Sequence, residues 1–67
     1  MRYNYFLEYA GQGAYQALDF LEYESGYDFD YEWEEDVLII YTNADPEEVE
    51  SMVYDATGQY ANNYGRS

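Results

Sequence analysis

Apolar side chains recur along this sequence with two different periods, and each change of period predicts the boundary of an element. Residues 2–10 alternate with period two and are rich in strand-forming side chains, which predicts a first strand. Glycines at positions 11 and 13 break the pattern. Residues 14–24 then place apolar side chains at helical spacing, namely Ala14, Ala17, Leu18 and Leu21. Gly26 suits the left-handed position after the last turn of this helix.

The second half of the chain predicts two further strands and a second helix. Residues 27–34 alternate strictly between aromatic and acidic side chains. Residues 37–41 are continuously apolar, which is typical of a strand buried on both faces. Asp45 and Pro46 then supply a helix cap and a proline at the first helical position. The apolar stripe of this second helix consists of Val49, Met52, Val53 and Ala56.

The order of the predicted elements defines a fold. Gly58 ends the second helix, and residues 59–67 have little to bury, so we expect a frayed tail there. The order is then βαββα within a single domain, residues 1–67. A right-handed crossover makes strands one and two parallel, and the apolar third strand fits between them. The sequence thus predicts an α+β fold with a three-stranded mixed sheet in the order 1-3-2 and two helices on one face, a ferredoxin-like unit truncated before its last strand.

The second strand has two chemically different faces, because successive side chains point to opposite sides of a strand. The aromatic face is expected to pack under the helices as part of the core: Tyr27, Phe29, Tyr31 and Trp33. The acidic face is expected to line the open side of the sheet: Asp28, Asp30, Glu32 and Glu34. Carboxylates two residues apart on a strand lie roughly 6.5 Å from each other. That is of the order of the spacing between phosphates along one DNA strand.

The charge balance narrows the possible partners. The chain has 67 residues with 15 acids against Arg2 and Arg66, for a net charge of −13, and it has no lysine, histidine or cysteine. Such a surface repels nucleic acid, anionic membranes and phosphate ligands and attracts cationic surfaces. High charge with low hydropathy is typical of disorder, but 22% aromatic residues favour a folded domain. We expect a cytoplasmic protein.

The sequence offers little material for catalysis or for metal binding. Without His, Cys or Lys, its few hydroxyl groups have no neighbouring base, which argues against an enzyme. The spacing Asp28-x-Asp30-x-Glu32 resembles the start of a calcium-binding EF-hand loop, but Trp33 and Ile39 stand where that loop needs glycine and glutamate. No catalytic residue, metal site or cofactor is therefore predicted.

In its shortness, its acidity, its lack of lysine and cysteine and its tyrosine-rich face, the whole chain resembles the phage-encoded DNA-mimic inhibitors, which include anti-restriction and anti-CRISPR proteins. The resemblance is one of composition. It implies no catalytic residues. It implies stoichiometric blocking of a basic nucleic-acid-binding protein in the infected host cell. Such an inhibitor occupies the channel that DNA would enter.

The carboxylates expected to contact such a partner lie on three predicted segments. They are Asp28, Asp30, Glu32, Glu34, Glu35 and Asp36 on the second strand and its turn, Asp19, Glu22 and Glu24 on the first helix, and Glu47, Glu48 and Glu50 on the second helix. Four carboxylates on one strand are too few to imitate a duplex. The hypothesis therefore depends on whether the helix acids continue the row.

Three other interpretations of the acidic surface remain open. It can be a solvated face without a partner, or an adaptation to high salt. The chain can also be an interaction module that is not a DNA mimic and uses its tyrosine-rich surface on a partner. The protein is expected to be a monomer, or a homodimer that pairs through the open face of the sheet.

Overall fold

The computed structural model describes residues 3–67 and contains six elements. In chain order they are β1 (Tyr5–Ala10), α1 (Gly13–Tyr23), β2 (Phe29–Glu34), β3 (Val37–Thr42), α2 (Pro46–Thr57) and β4 (Asn63–Arg66). The sequence prediction placed Met1 in the domain and Arg2 at the start of the first strand. Both residues lie outside the described part of the chain. The first five elements occur where the periodicities predict them, with boundaries shifted by a few residues.

The strands form one sheet in the order β2-β3-β1-β4, and every neighbouring pair is antiparallel. The α+β class is confirmed, and β3 lies between β1 and β2 as expected. Within residues 3–67, however, the sheet has four strands and not three, and no two neighbouring strands are parallel, so it is not mixed. The element order βαββαβ supplies the last strand of a split βαβ arrangement, so the expected truncation is wrong.

The extra strand is formed by the segment that was expected to be a frayed tail. β4 pairs with the free edge of β1, with Leu7 opposite Tyr64. The Asn62 backbone N–H donates to the Glu8 carbonyl at 2.7 Å, and the Asn62 side-chain oxygen accepts from the Ala10 N–H at 2.8 Å. The prediction failed because backbone hydrogen bonds to an exposed sheet edge need no apolar pattern in the pairing segment.

The core lies between the helices and one face of the sheet. Leu7 and Tyr9 of β1 and Leu38 and Ile40 of β3 face the helices and are buried. The helices contribute Ala14, Ala17, Leu18, Leu21, Val49 and Val53. Met52 and Ala56, also expected in the apolar stripe of α2, are exposed. Both helices therefore cover one side of the sheet and leave the other side open.

The local signals at the two ends of α2 act as the sequence indicates. The Asp45 side chain accepts a hydrogen bond from the Glu47 N–H at 3.0 Å, and Gly58 ends α2 with a φ of 79°. The β2–β3 hairpin closes with a two-residue loop, Glu35 and Asp36, and Glu35 has a φ of 56°. No helix within residues 3–67 is long and apolar enough to cross a membrane.

Candidate functional site

The carboxylates of β2 line the open face of the sheet. In the pairing with β3, Asp30 lies opposite Tyr41, and Glu32 lies opposite Ile39. These partners point away from the helices, because they alternate with the core residues of β3. Asp30, Glu32 and Glu34 are exposed on this face. Asp28 is exposed as well, but it precedes β2, and its side chain accepts a hydrogen bond from the Tyr3 hydroxyl at 3.4 Å. The alternation in the sequence thus correctly predicts an acidic row along this edge strand.

A further carboxylate joins this row from a strand that is distant in sequence. Glu8 on β1 lies opposite Ile39, which in turn lies opposite Glu32 on β2. Two carboxylates therefore flank one apolar side chain across three strands. Glu8 was not among the predicted contact residues. Its alternation within β1 shows which face it occupies, but only the strand order brings that face beside β2.

One tyrosine of the open face holds a carboxylate of the row in place. The Tyr41 hydroxyl donates a hydrogen bond to Glu32 Oε1 at 2.5 Å. This bond is the largest cause that raises the pKa of Tyr41 to about 12, and burial of the ring follows. The negative charges of Glu32, Glu34 and Glu8 raise the pKa further. Carboxylates from both β1 and β2 therefore raise the pKa of one tyrosine on the open face.

The aromatic face of β2 is less buried than the sequence predicts. Tyr27 and Phe29 pack against the core, but 40% of Tyr31 and 38% of Trp33 remain exposed. The expectation that the whole aromatic face is core is therefore wrong. β2 is an edge strand, and the helices pack mainly on each other and on β1. Near the hairpin end, Tyr15 of α1 reaches Trp33, with ring centroids 4.9 Å apart.

This ring pair forms one side of a pocket at the end of the sheet, where the turn between β1 and α1 faces the β2–β3 hairpin. The pocket is lined by Gly11, Gln12, Tyr15, Trp33, Glu35 and Asp36. A second depression lies on the open face and is lined by Glu8, Glu34, Glu35, Val37 and Ile39. Glu35 borders both. The hairpin therefore connects the acidic row of the open face to the exposed rings.

The acids of the two helices lie on the other side of the sheet from the acidic row. Asp19 and Glu22 are exposed on α1, and Glu24 follows its last residue. Glu47 and Glu48 occupy the first turn of α2. The structure therefore does not bring the predicted contact residues onto one face. It joins the β2 carboxylates with Glu35 and Asp36 and keeps the helix acids apart from them.

Glu50 of α2 differs from the exposed acids because it is only partly exposed, and its charge contributes to the raised pKa of three tyrosines, Tyr9, Tyr60 and Tyr64. Burial raises the pKa of Tyr9, and the charge of Glu50 adds to this effect. Burial likewise raises the pKa of Tyr64, followed by the charges of Glu47, Glu50 and Asp45. Glu50 therefore belongs to the side of the molecule that carries β4.

The described part of the chain contains no cluster of three or more carboxylates that could hold a metal ion. The acidic row has the geometry of a strand, in which neighbouring side chains of one face run side by side and do not converge. Its chemistry is that of a charged surface. Comparison with known proteins assigns no role to any residue, because no family model matches the chain and no curated protein or solved structure is significantly similar to it.

Proposed function

We propose that this protein is a DNA-mimic inhibitor. It binds the positively charged nucleic-acid site of a DNA-processing or DNA-binding protein, such as one of host defence, and blocks access of DNA. The helix acids do not continue the carboxylate row of β2, but Glu8 of β1 lies beside it and Glu35 and Asp36 of the hairpin lie at its end. This extended acidic face is the observation that carries the proposal. Spaced roughly 6.5 Å apart along the strand, the carboxylates of β2 present negative charge at intervals comparable to those of phosphates.

Rigidity of the row supports this function. β2 pairs with β3 along its whole length, and the Tyr41 hydroxyl fixes one carboxylate of the row. A surface that is already ordered loses less side-chain entropy when it binds than a flexible acidic segment would. A regular strand is therefore a better scaffold for charges at defined intervals than a disordered acidic tail.

The acids on the helices are expected to accelerate the approach of a basic partner and to contribute little to the contacts in the bound complex. The smallest extent of the molecule is 18 Å, whereas the Debye length at physiological ionic strength is about 8 Å. A basic site bound to the open face is therefore largely screened from the charges on the helix side. The net charge of −13 still accelerates the approach of a cationic partner when the ionic strength is low.

The test compares two variants that lose the same charge from opposite sides of the molecule. The row variant carries Glu8→Gln, Asp30→Asn, Glu32→Gln and Glu34→Gln. The control variant carries Asp19→Asn, Glu22→Gln, Glu24→Gln and Glu48→Gln. A target is first isolated from the host lysate on the wild-type protein, and each protein then competes with labelled duplex DNA for that target.

The concentration needed to displace the labelled DNA is expected to rise by more than tenfold for the row variant and by much less for the control. Circular dichroism and melting temperature establish that both variants are folded. A folded row variant that displaces DNA as well as the wild type does would refute the mimic proposal. An equal loss of competition in both variants would mean that the net charge of the protein drives binding and that no particular face makes the contact.

A second candidate function is favoured by the exposed rings. Besides Tyr15 and Trp33, Tyr54 and Tyr60 stack on the surface with centroids 4.0 Å apart. Aromatic side chains are enriched at the centres of protein interfaces. The chain would then be an interaction module whose charge serves solubility. In that case excess duplex DNA does not displace the isolated partner, which separates this function from mimicry.

A further inference from the structure

We propose that the pocket of Tyr15, Trp33, Glu35 and Asp36 binds the guanidinium group of an arginine side chain on a protein partner. The inference rests on the proposed function only in that the partner is basic. It adds a point of specific recognition to a surface that otherwise acts through charge. It also assigns a role to the rings that the sheet leaves uncovered.

The two rings supply the aromatic part of the pocket. Their centroids are 4.9 Å apart and their planes are inclined by 33°, while 65% of Tyr15 and 38% of Trp33 remain exposed. A cation within about 6 Å of a ring centroid is attracted by the ring's negative face, most strongly by tryptophan. The chain itself uses this contact elsewhere, since the guanidinium carbon of Arg66 lies 5.6 Å from the Tyr5 ring centroid.

The hairpin supplies the charged part of the same pocket. Glu35 and Asp36 line it together with the rings, so a cation that stacks on Trp33 also meets carboxylates. Arginine combines a planar group that stacks on rings with a fork of donors that matches a carboxylate. Lysine offers a compact, strongly hydrated charge that has neither the planar face nor the fork of donors.

The position of the pocket makes it continuous with the acidic row. Glu35 lines both the aromatic pocket and the depression that contains Glu8 and Glu34. A basic partner that lies along the row therefore reaches the pocket at the hairpin end. The pocket has a volume of about 540 Å³, which is ample for one arginine side chain.

The single tryptophan of the chain makes this binding directly measurable, because the indole N–H of Trp33 gives one separate NMR signal. The probes are three blocked tripeptides, Gly-X-Gly, in which X is arginine, lysine or uncharged citrulline. The arginine peptide is expected to shift the indole signal saturably. The lysine peptide should bind roughly two- to fivefold more weakly, and the citrulline peptide should cause no saturable shift.

Matched variants distinguish binding in the pocket from attraction by the overall negative charge of the protein. Glu35→Gln with Asp36→Asn should weaken arginine binding by at least about fivefold, since hydrogen bonds to charged groups are lost. Glu47→Gln with Glu48→Gln removes the same charge from the first turn of α2, which follows the end of β3 farthest from the hairpin, and should leave binding unchanged within about twofold. Dispersed amide spectra verify that each variant is folded. Tyr15→Ala provides an independent reduction of binding without any change in charge.

Equal shifts with arginine and lysine, or equal weakening in both charge variants, would overturn the pocket proposal. An indole signal that does not move with the arginine peptide would do so as well. The outcome is independent of the DNA competition experiment. Arginine binding without DNA competition supports the pocket and rejects the mimic, whereas DNA competition without arginine binding does the opposite.

Discussion

Tyrosines with the same hydroxyl group occupy opposite environments in this protein. Tyr9 lies on the core face of β1 and is only 1% exposed, and its hydroxyl finds no hydrogen-bond partner among residues 3–67. Tyr41 lies on the open face of β3, and its hydroxyl is bonded to Glu32. The ring suits both positions, but the hydroxyl is satisfied at only one of them. The two residues therefore respond differently when the hydroxyl is removed.

Tyr9→Phe is expected to stabilise the protein. The substitution keeps the buried ring and removes a hydroxyl whose burial without a partner costs about 1–3 kcal/mol. The free energy of unfolding, measured by urea denaturation, should rise by about 1 kcal/mol. Tyr41→Phe is the matched control and should not stabilise, because it removes a bonded hydroxyl. A fall in stability for Tyr9→Phe would mean that the buried hydroxyl has a partner.

Tyr41 is also expected to make stability depend on pH in the alkaline range. Its pKa is raised from 10.0 to about 12 in the folded protein, so between these values the folded state binds more protons than the unfolded state. The contribution of Tyr41 to stability is fully present below pH 10 and is lost as the pH rises through 12. Between these pH values, the free energy of unfolding should fall more steeply for the wild type than for Tyr41→Phe. Parallel curves would contradict the hydrogen bond to Glu32.

Among the elements, the β2–β3 hairpin departs most from local preference. Two-residue hairpin loops favour glycine or asparagine at positions with positive φ, and this loop has glutamate there. Glu35 adopts a φ of 56°, a conformation that costs a residue with a Cβ atom about 1–2 kcal/mol. The same residue borders both depressions at the hairpin end. A strained residue at this position is consistent with a role in binding.

Replacement of this residue is expected to separate stability from binding. Glu35→Gly should raise the free energy of unfolding by about 1 kcal/mol, because glycine adopts positive φ without strain. The same variant should bind the arginine peptide more weakly, since one of the two pocket carboxylates is gone. Thermal unfolding and the Trp33 indole titration measure the two effects. Glu35→Gln should retain the strain and lose only the charge, so unchanged binding in both variants would rule out a role for Glu35.

At the scale of the whole molecule, uncompensated charge opposes the compact state. The net charge is −13 in a chain of 67 residues, and the acids occupy both sides of the sheet. A domain of this size has limited buried surface with which to offset that repulsion. The stability of the protein should therefore depend on the ionic strength more strongly than that of a domain with mixed charges.

The melting temperature is accordingly expected to rise when sodium chloride is added to a low-salt buffer. A gain of about 1 kcal/mol corresponds to roughly 4–8 °C for a domain of this size. Scanning fluorimetry across a salt series measures the shift, with sucrose at equal osmolality as the control. A flat series would mean that the charges are too dispersed to repel one another. Complete unfolding in low salt would favour adaptation to high salt over a binding function.

The sequence by itself determined the features that depend on local patterns. Periodicity located β1, α1, β2, β3 and α2, and it showed which face of each strand carries which side chains, because that information lies in the spacing of neighbouring residues. Asp45, Pro46 and Gly58 marked the ends of α2, since capping involves only nearby backbone groups. The charge balance likewise needed no structure.

Only the tertiary structure decided which neighbours each element meets. It formed β4 from a segment without an apolar pattern, because a free strand edge supplies backbone partners to any extended chain. It left Tyr31 and Trp33 exposed, because the burial of an amphipathic strand depends on how far the helices extend over the sheet. It also brought Glu8 beside the acidic row and kept the helix acids away from it. Spacing along the chain specifies the direction of a side chain, but long-range packing specifies what that side chain touches.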